Sequence, residues 1–191
     1  MLPTGAKVQE QYPRPPEPSS CGKTAHRPPR LRLRRLRPTD EPDLLALDSD
    51  AEVMRYVGSP AGVKSPEVTL ERVRHRIAAD HGRLGFSRIE SRQRGAFYGL
   101  AALIEMPTGD DVELAYRLVQ AAWGQGIAAE AGAALLDFAF QTLRLPRVVA
   151  VTYPENRASQ RVLEKLGFTV HGERDYKGSR TVFVVREAPP G

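Results

Sequence analysis

The 191-residue chain has one cysteine, Cys21, so neither an intrachain disulfide nor a cysteine-based zinc site can form. No apolar run approaches the roughly 18–20 residues a membrane helix needs, and the first thirty residues lack a signal-peptide apolar stretch. Histidines are few. His75 and His81 are six residues apart, a spacing that does not put two ligands on one helix face, and His26 lies in a proline-rich segment. No Cys or carboxylate pattern completes a metal site around them. A G-x-S-x-G elbow is also missing, which leaves covalent catalysis without a candidate nucleophile. These absences lead to the expectation of a soluble, cytoplasmic protein that uses no metal and no membrane.

The charge is unevenly distributed. The net charge is +5, yet residues 1–38 alone hold nine basic and two acidic residues, leaving 19 basic against 21 acidic in the remainder. The positive charge therefore belongs to the N-terminal region, and no direct nucleic-acid binding is expected of the folded part. Residues 1–30 contain seven of the sixteen prolines and almost no large aliphatic side chains, so they cannot bury enough apolar surface to offset the entropy of ordering. The expected organisation is a disordered arm over 1–30, one domain over 31–187 and a tail over 188–191.

Within that domain, "LRLRRLR" alternates Leu31 and Leu33 with arginines, as a half-buried edge strand does. "PTDEPDLLALDSD" predicts a helix capped by Thr39 or Asp40, and "SPEVTLERVRHRIAADHG" predicts another. In the second, Ser65 is the cap, Pro66 opens the helix, Leu70, Val73 and Ile77 share a face, and Gly82 marks the exit. "RLGFSRIE", "GAFYGLAALIE" and "VELAYRLV" follow one another across short turns and so pair antiparallel. A helix over 127–143 separates the last of these from "RVVAVTY", and that crossover makes the two strands parallel. "NRASQRVLEKLGF" is a helix ended by Gly167, with Leu166 and Phe168 in the core, and "FTVHGERDY" and "SRTVFVVRE" form a closing hairpin. The fold class is α/β (α+β): a mixed, mostly antiparallel central sheet, a parallel splayed pair in the middle, and helices on both faces.

The junction "AAWGQGIAAEAG" puts Gly124 and Gly126 at the mouth of a helix, where backbone N–H groups can converge on a phosphate. A P-loop is excluded because no Lys-Ser or Lys-Thr follows. Gly124, Gly126 and Ala129 satisfy the dinucleotide fingerprint G-x-G-x-x-A, but only about sixty residues remain after it, ending in a hairpin instead of a doubly wound unit. Gly126 and Ala128 also satisfy Q/R-x-x-G-x-G/A, with Trp123 at the Gln/Arg place.

Taken together, "VELAYRLVQAAWGQGIAAEA" and "YPENRASQRVLEKLGFTVHGE" resemble the Gcn5-related N-acetyltransferase superfamily, and within it the branch of ribosomal-protein N-terminal acetyltransferases. The resemblance implies binding of acetyl-CoA as co-substrate, with an amine acceptor, in that branch a protein N-terminus; small amines, polyamines and aminoglycosides remain open as acceptors. It implies that the amides of Gly124, Gln125, Gly126, Ile127 and Ala128 take the pyrophosphate. The main chain of Tyr116, Leu118 and Val119 would take the pantetheine arm by strand addition, with a backbone N–H near Leu118 or Val119 polarising the carbonyl. Asn156 is a good N-cap on its own; the family pattern implies instead that it bonds the pantetheine, with Ser159 near the sulfur. Glu113 is the candidate general base, though an ordinary paired strand carboxylate reads the same. Relatives often place a proton-donating tyrosine where this chain has Leu163, so Ser159 or water must donate, or the thiolate leaves without assistance. Tyr176, Arg180 and His171 are candidates to line the acceptor pocket, and Glu130 reads as a structural acid in the first turns of its helix.

A noncatalytic acyl-CoA-binding module and a nucleotide-dependent oxidoreductase are the competing classes. Coenzyme A should raise the melting temperature, by about 3 kcal/mol of added stability at a hundred times its Kd, while NAD(P) leaves it unchanged. A differential scan with both ligands checks this.

Overall fold

A computed structural model describes residues 30–58, 64–78, 84–107, 109 and 111–190. The expected arm, with Cys21 and His26, and the predicted His81 and Gly82 lie outside the described residues, Arg30 excepted.

Seven strands form one sheet in the order β1-β2-β3-β4-β5-β7-β6: β1 Leu31–Arg35, β2 Gly85–Ser91, β3 Phe97–Glu105, β4 Val112–Leu118, β5 Arg147–Thr152, β6 Thr169–Tyr176 and β7 Ser179–Glu187. All pairings are antiparallel except β4 with β5. The helices are α1 Glu41–Ser49, α2 Ala51–Met54, α3 Pro66–Ala78, α4 Ile127–Asp137 and α5 Arg157–Lys165. The alternation read from the sequence sets the two faces. Leu31, Ile89, Ala101, Leu114 and Leu118 pack with Ile127, Ala131, Leu135 and Leu163 of α4 and α5. On the other face Leu36, Leu44, Leu47, Val73 and Leu100 join α1 and α3 to the sheet.

Several details depart from expectation or refine it. The predicted helix over 127–143 ends as α-helix at Asp137 and finishes in a wider π-type turn, closed by Leu143 N–H donating to the Phe138 carbonyl at 3.0 Å. Ser65 does cap α3, its hydroxyl accepting from Val68 N–H at 3.4 Å. Val73 is fully buried, with Ile77 packed beside the same cluster. Gly167 leaves α5 in the left-handed conformation at φ +78°, as its exit position requires.

Neither Thr39 nor Asp40 caps α1 with its side chain. Asp40 is buried, and its carboxylate receives Arg34 through two bonds of 2.8 and 2.7 Å, together with the Arg37 N–H at 2.8 Å. Glu90 and Arg88 extend the cluster: Arg34 and Arg88 each reach Glu90 at 3.1 Å, and Arg88 also pairs with Asp43 at 2.6 Å. The arginine fork outbids the helix end because a bidentate charged pair is stronger than a cap. The cluster pins β1 and β2 to the start of α1.

Burial alone pushes the Asp40 carboxyl up. Hydrogen bonds from Arg34 and the Arg37 N–H, with the charges of Arg34 and Arg88, outweigh that and hold it below the ordinary value. The stability this contributes is present above the unfolded carboxyl value and is lost as pH falls through the lower folded one. Asp40→Ala leaves two guanidiniums short of a partner and should cost about 3 kcal/mol at pH 7. Urea unfolding at pH 7 and pH 3 should show the difference between variant and wild type shrinking at the lower pH.

Candidate active site

The sheet opens in the middle. β4 and β5 are in register at one pair only, Glu113 with Val149, whereas β4 continues along β3 to the Gly99–Leu118 pair and β5 continues along β7. Beyond Leu114 the free edge of β4 therefore faces a gap. Val119 N–H donates to the Tyr98 carbonyl at 3.0 Å, and antiparallel alternation then turns the main-chain groups of Leu118 and Tyr116 away from β3, toward the gap. The Leu118 carbonyl receives the indole N–H of Trp123 at 2.9 Å.

The expectation for Val119 is corrected by the same bond. Its N–H is taken by Tyr98 and its carbonyl by Ala122 N–H at 2.9 Å, because the chain turns there into a short 3-10 segment, Gln120–Ala122. Main-chain donors for an extended ligand are left at Tyr116 and Leu118.

At the end of the gap the two glycines adopt left-handed conformations, φ +71° at Gly124 and +75° at Gly126. Added side chains would meet nothing within 4 Å at Gly124, so the glycines serve backbone shape and leave the approach open. No side chain caps α4. Glu130 N–H is the first to find its helical acceptor, Gly126, which leaves the amides of Ile127, Ala128 and Ala129 as the free donors of the first turn. The side chains of Ile127 and Ala128 are buried in the core, fixing those amides in place. Gln125 turns its amide back to the Ala121 carbonyl at 2.6 Å. Glu130 holds Arg30, whose backbone N–H and Nε each lie 3.0 Å from its carboxylate and whose guanidinium reaches the Gln125 carbonyl at 3.2 Å. Glu130 is thus structural, and Trp123, 47% exposed, stands at the mouth.

A cavity of about 480 Å³ runs through the gap, with Glu113, Tyr116, Leu118, Gly124, Asn156 and Ser159 among its walls. Strand alternation puts the side chains of Glu113 and Tyr116 on opposite faces of the sheet. Glu113 is buried and accepts the Tyr176 hydroxyl at 2.8 Å. Tyr176 is delivered there by the tight β6–β7 turn, in which Lys177 and Gly178 have φ +56° and +77°. Burial pushes the Glu113 carboxyl above its ordinary value, and the Tyr176 hydrogen bond and the Lys177 charge reverse only part of that. Tyr176 is itself pushed up, by burial and by the neighbouring carboxylate.

On the other face, the Tyr116 hydroxyl lies 3.0 Å from the Ser159 hydroxyl, and burial pushes its pKa up to about 12. Asn156 caps α5, its Oδ1 accepting from Ser159 N–H at 3.1 Å. The capping reading of Asn156 is therefore the observed one for its oxygen, and the cap also orients Ser159. Leu163 is buried in the core. Arg180 pairs with Glu173 on the outer hairpin, and His171 is exposed; neither lines the cavity. The Tyr176–Glu113 and Tyr116–Ser159 pairs went unread in the sequence because they join residues 63 and 43 positions apart, and no local spacing signals them. Among the described residues, no group of three or more metal-ligating side chains comes together, and no helix is long and apolar enough to cross a membrane.

A sheet split between parallel strands, with an uncapped helix at the mouth and a buried carboxylate beside the split, leaves free main-chain donors along one cavity. The chain belongs to the acetyltransferase (GNAT) domain family, whose model matches residues 30–169, and it is an acyltransferase. It is similar to the uncharacterized N-acetyltransferase YoaA of Bacillus subtilis, 29% identical over 147 residues that cover 75% of this chain and 81% of that protein. Among solved structures it is similar to RimL, a ribosomal L7/L12 alpha-N-protein acetyltransferase in complex with coenzyme A, with TM-score 0.69 and 22% identity over 83% of this chain and 94% of that one. It is similar too to a Vibrio cholerae spermidine N-acetyltransferase in complex with CoA and spermine, with TM-score 0.67 and 21% identity over 83% and 95%.

A carboxyl whose folded pKa is raised contributes stability below its unfolded value and loses it as pH rises through the folded one. Glu113→Gln keeps an acceptor for Tyr176 without the buried charge. Its melting temperature should exceed that of the wild type at pH 8, and the gap should close toward pH 4.

Proposed function

We propose that the protein transfers the acetyl group of acetyl-CoA to a primary amine by direct attack in a ternary complex, the leading acceptor being a protein N-terminal α-amine. The observation that carries this reading is the fork itself: proton-handling groups stand on its two faces, Glu113 with Tyr176 on one and Ser159 with Tyr116 on the other. The donor fits the residues present, since the open amides of Ile127–Ala129 suit a pyrophosphate and the unpaired edge at Tyr116 and Leu118 suits the amides of a pantetheine arm. Acetyl-CoA supplies the acetyl group: the amine nitrogen bonds to the carbonyl carbon, the carbon–sulfur bond breaks, one proton leaves the amine and one is gained by the sulfur.

The residues divide that work. Leu118 N–H, turned into the gap, is placed to polarise a carbonyl at the middle of the sheet. Glu113 accepts the proton of the incoming amine, directly or through one water. Its raised pKa narrows the gap to an α-amine, whose ordinary value near 8 lies well below the roughly 10.4 of a lysine. Ser159 donates to the departing sulfur while taking the proton of Tyr116, which is protonated at neutral pH and regains a proton from solvent once the thiol has left. That pair fills the role left empty by Leu163. Asn156 holds Ser159 in place, with its side-chain NH2 directed to donor binding.

The ribosomal-protein branch remains the narrower reading of the sequence motifs. Among similar structures, RimL acts on a protein α-amine and the Vibrio cholerae enzyme on spermidine, so polyamines and other small amines are the alternatives.

Thiol release from acetyl-CoA over a panel of peptides and small amines tests the assignment, and binding without turnover on a broad panel would leave a noncatalytic module. Glu113→Gln should lower kcat/KM by about 10²–10⁴-fold. Ser159→Ala should lower kcat by only about tenfold, because a thiolate leaves with little help.

A further inference from the structure

The end of the cavity farthest along β4 from Glu113 has an unbalanced charge. Arg117 shares the face of Glu113, four residues on and so about 13 Å along the strand. Its side chain is 11% exposed, and its terminal nitrogen lies 2.7 Å from Asp48 of α1. The same Asp48 carboxylate also holds Arg76 of α3 at 2.9 Å. Arg72, one turn earlier on α3, lines the same cavity, is exposed, and has no carboxylate within ion-pair distance among the described residues. Two guanidiniums thus share one carboxylate, and a third, Arg72, is close enough to repel Arg117.

Arg117 donates to Asp48 Oδ2 at 3.0 Å, but its contact with Oδ1 is an ion pair without hydrogen-bond alignment, and its buried Nε has no hydrogen-bond partner. Burial first, then the repulsion of Arg76 and Arg72, outweighs the attraction of Asp48 and lowers the Arg117 pKa to about 10. A buried guanidinium left with an unused donor is costly, and a stable protein would ordinarily pair it or replace it. The cost is explained if a visiting anion completes the pairing.

Resting on the acetyl-transfer reading, we propose that the acceptor is an anionic amine: a carboxylate or similar group seats on Arg117 and Arg72 while its amino group points back along β4 toward Glu113. Two sources share this chemistry, a small amino acid and a peptide whose first residues are acidic. Polyamines are disfavoured, because a second ammonium would be driven into the arginine end.

Isothermal titration calorimetry on the full-length protein, loaded with CoA and without it, tests the site using acetylated product analogues. The probes are N-acetylglutamate, its uncharged diamide, N-acetylspermidine, and an N-acetyl-Asp-Ala-Ala peptide amide beside its Asn counterpart. The anionic member of at least one pair should bind at least tenfold tighter than its neutral partner, and which pair discriminates identifies the source. Arg72→Gln, on the exposed side of α3, should remove about fivefold of that preference with no change in melting temperature. Arg117→Lys should keep the charge but lose the fork geometry, and with it most of the discrimination.

Equal binding of charged and neutral probes overturns the proposal, as does tighter binding of N-acetylspermidine or the absence of binding by either anionic probe. Failure of CoA itself to bind overturns the acetyl-transfer reading instead, and the titration without CoA still reports the arginine site.

Discussion

The molecule depends on one missing interaction. Parallel neighbours in a sheet normally exchange hydrogen bonds along their whole overlap, yet β4 and β5 do so around a single pair and then part. Unpaired strand edges inside a protein are unfavourable unless water or another partner serves them. Here the separation is enforced from outside: β4 is held by β3 through seven paired positions and β5 by β7 through six, so neither strand can lean across to close the gap. Gly99 tightens the first of these grips. A side chain there would clash with the Arg117 carbonyl, so only glycine lets β3 lie that close to β4 beside the fork. The side chains of Glu113 and Tyr116 are then sent to opposite faces by simple alternation on the opened strand.

Much of this was legible in the chain. The period-two runs located the strands to within a few residues, and the single crossover helix dictated the one parallel pair. The glycines at 124 and 126 marked an uncapped helix mouth. What escaped was decided by contacts between distant residues. Asp40 looks like a cap in isolation, and only the approach of Arg34 and Arg88 diverts it. Val119 reads as part of the open edge, until its N–H is seen to pair with Tyr98 of β3 and its carbonyl with the turn that follows. Alternation puts Arg117 on the face of Glu113, but its burial depends on α1 and α3 folding over that face, which strand periodicity cannot express.

The electrostatics of the cavity are arranged in zones. Glu113 sits where burial favours its neutral form, with a phenol on one side and a lysine beyond it. Farther along the same strand the arginines create the opposite bias, and past them the helix mouth offers only amide dipoles. Keeping Glu113 well away from the concentrated positive charge leaves burial to dominate its carboxyl. Strand spacing alone provides that separation, since same-face positions advance by about 7 Å each.

The clasp between Arg30 and Glu130 fixes where the polypeptide enters the domain, beside the Gln125 carbonyl and the glycine turn. At the other extremity Ala188 is tied to Pro146, next to the beginning of β5 and so at the opposite rim of the sheet. Arg30 therefore couples the start of β1 to the first turn of α4, and a substitution that breaks the clasp would be felt at the glycine turn. A substitution at the Ala188 tie would be felt instead at the start of β5.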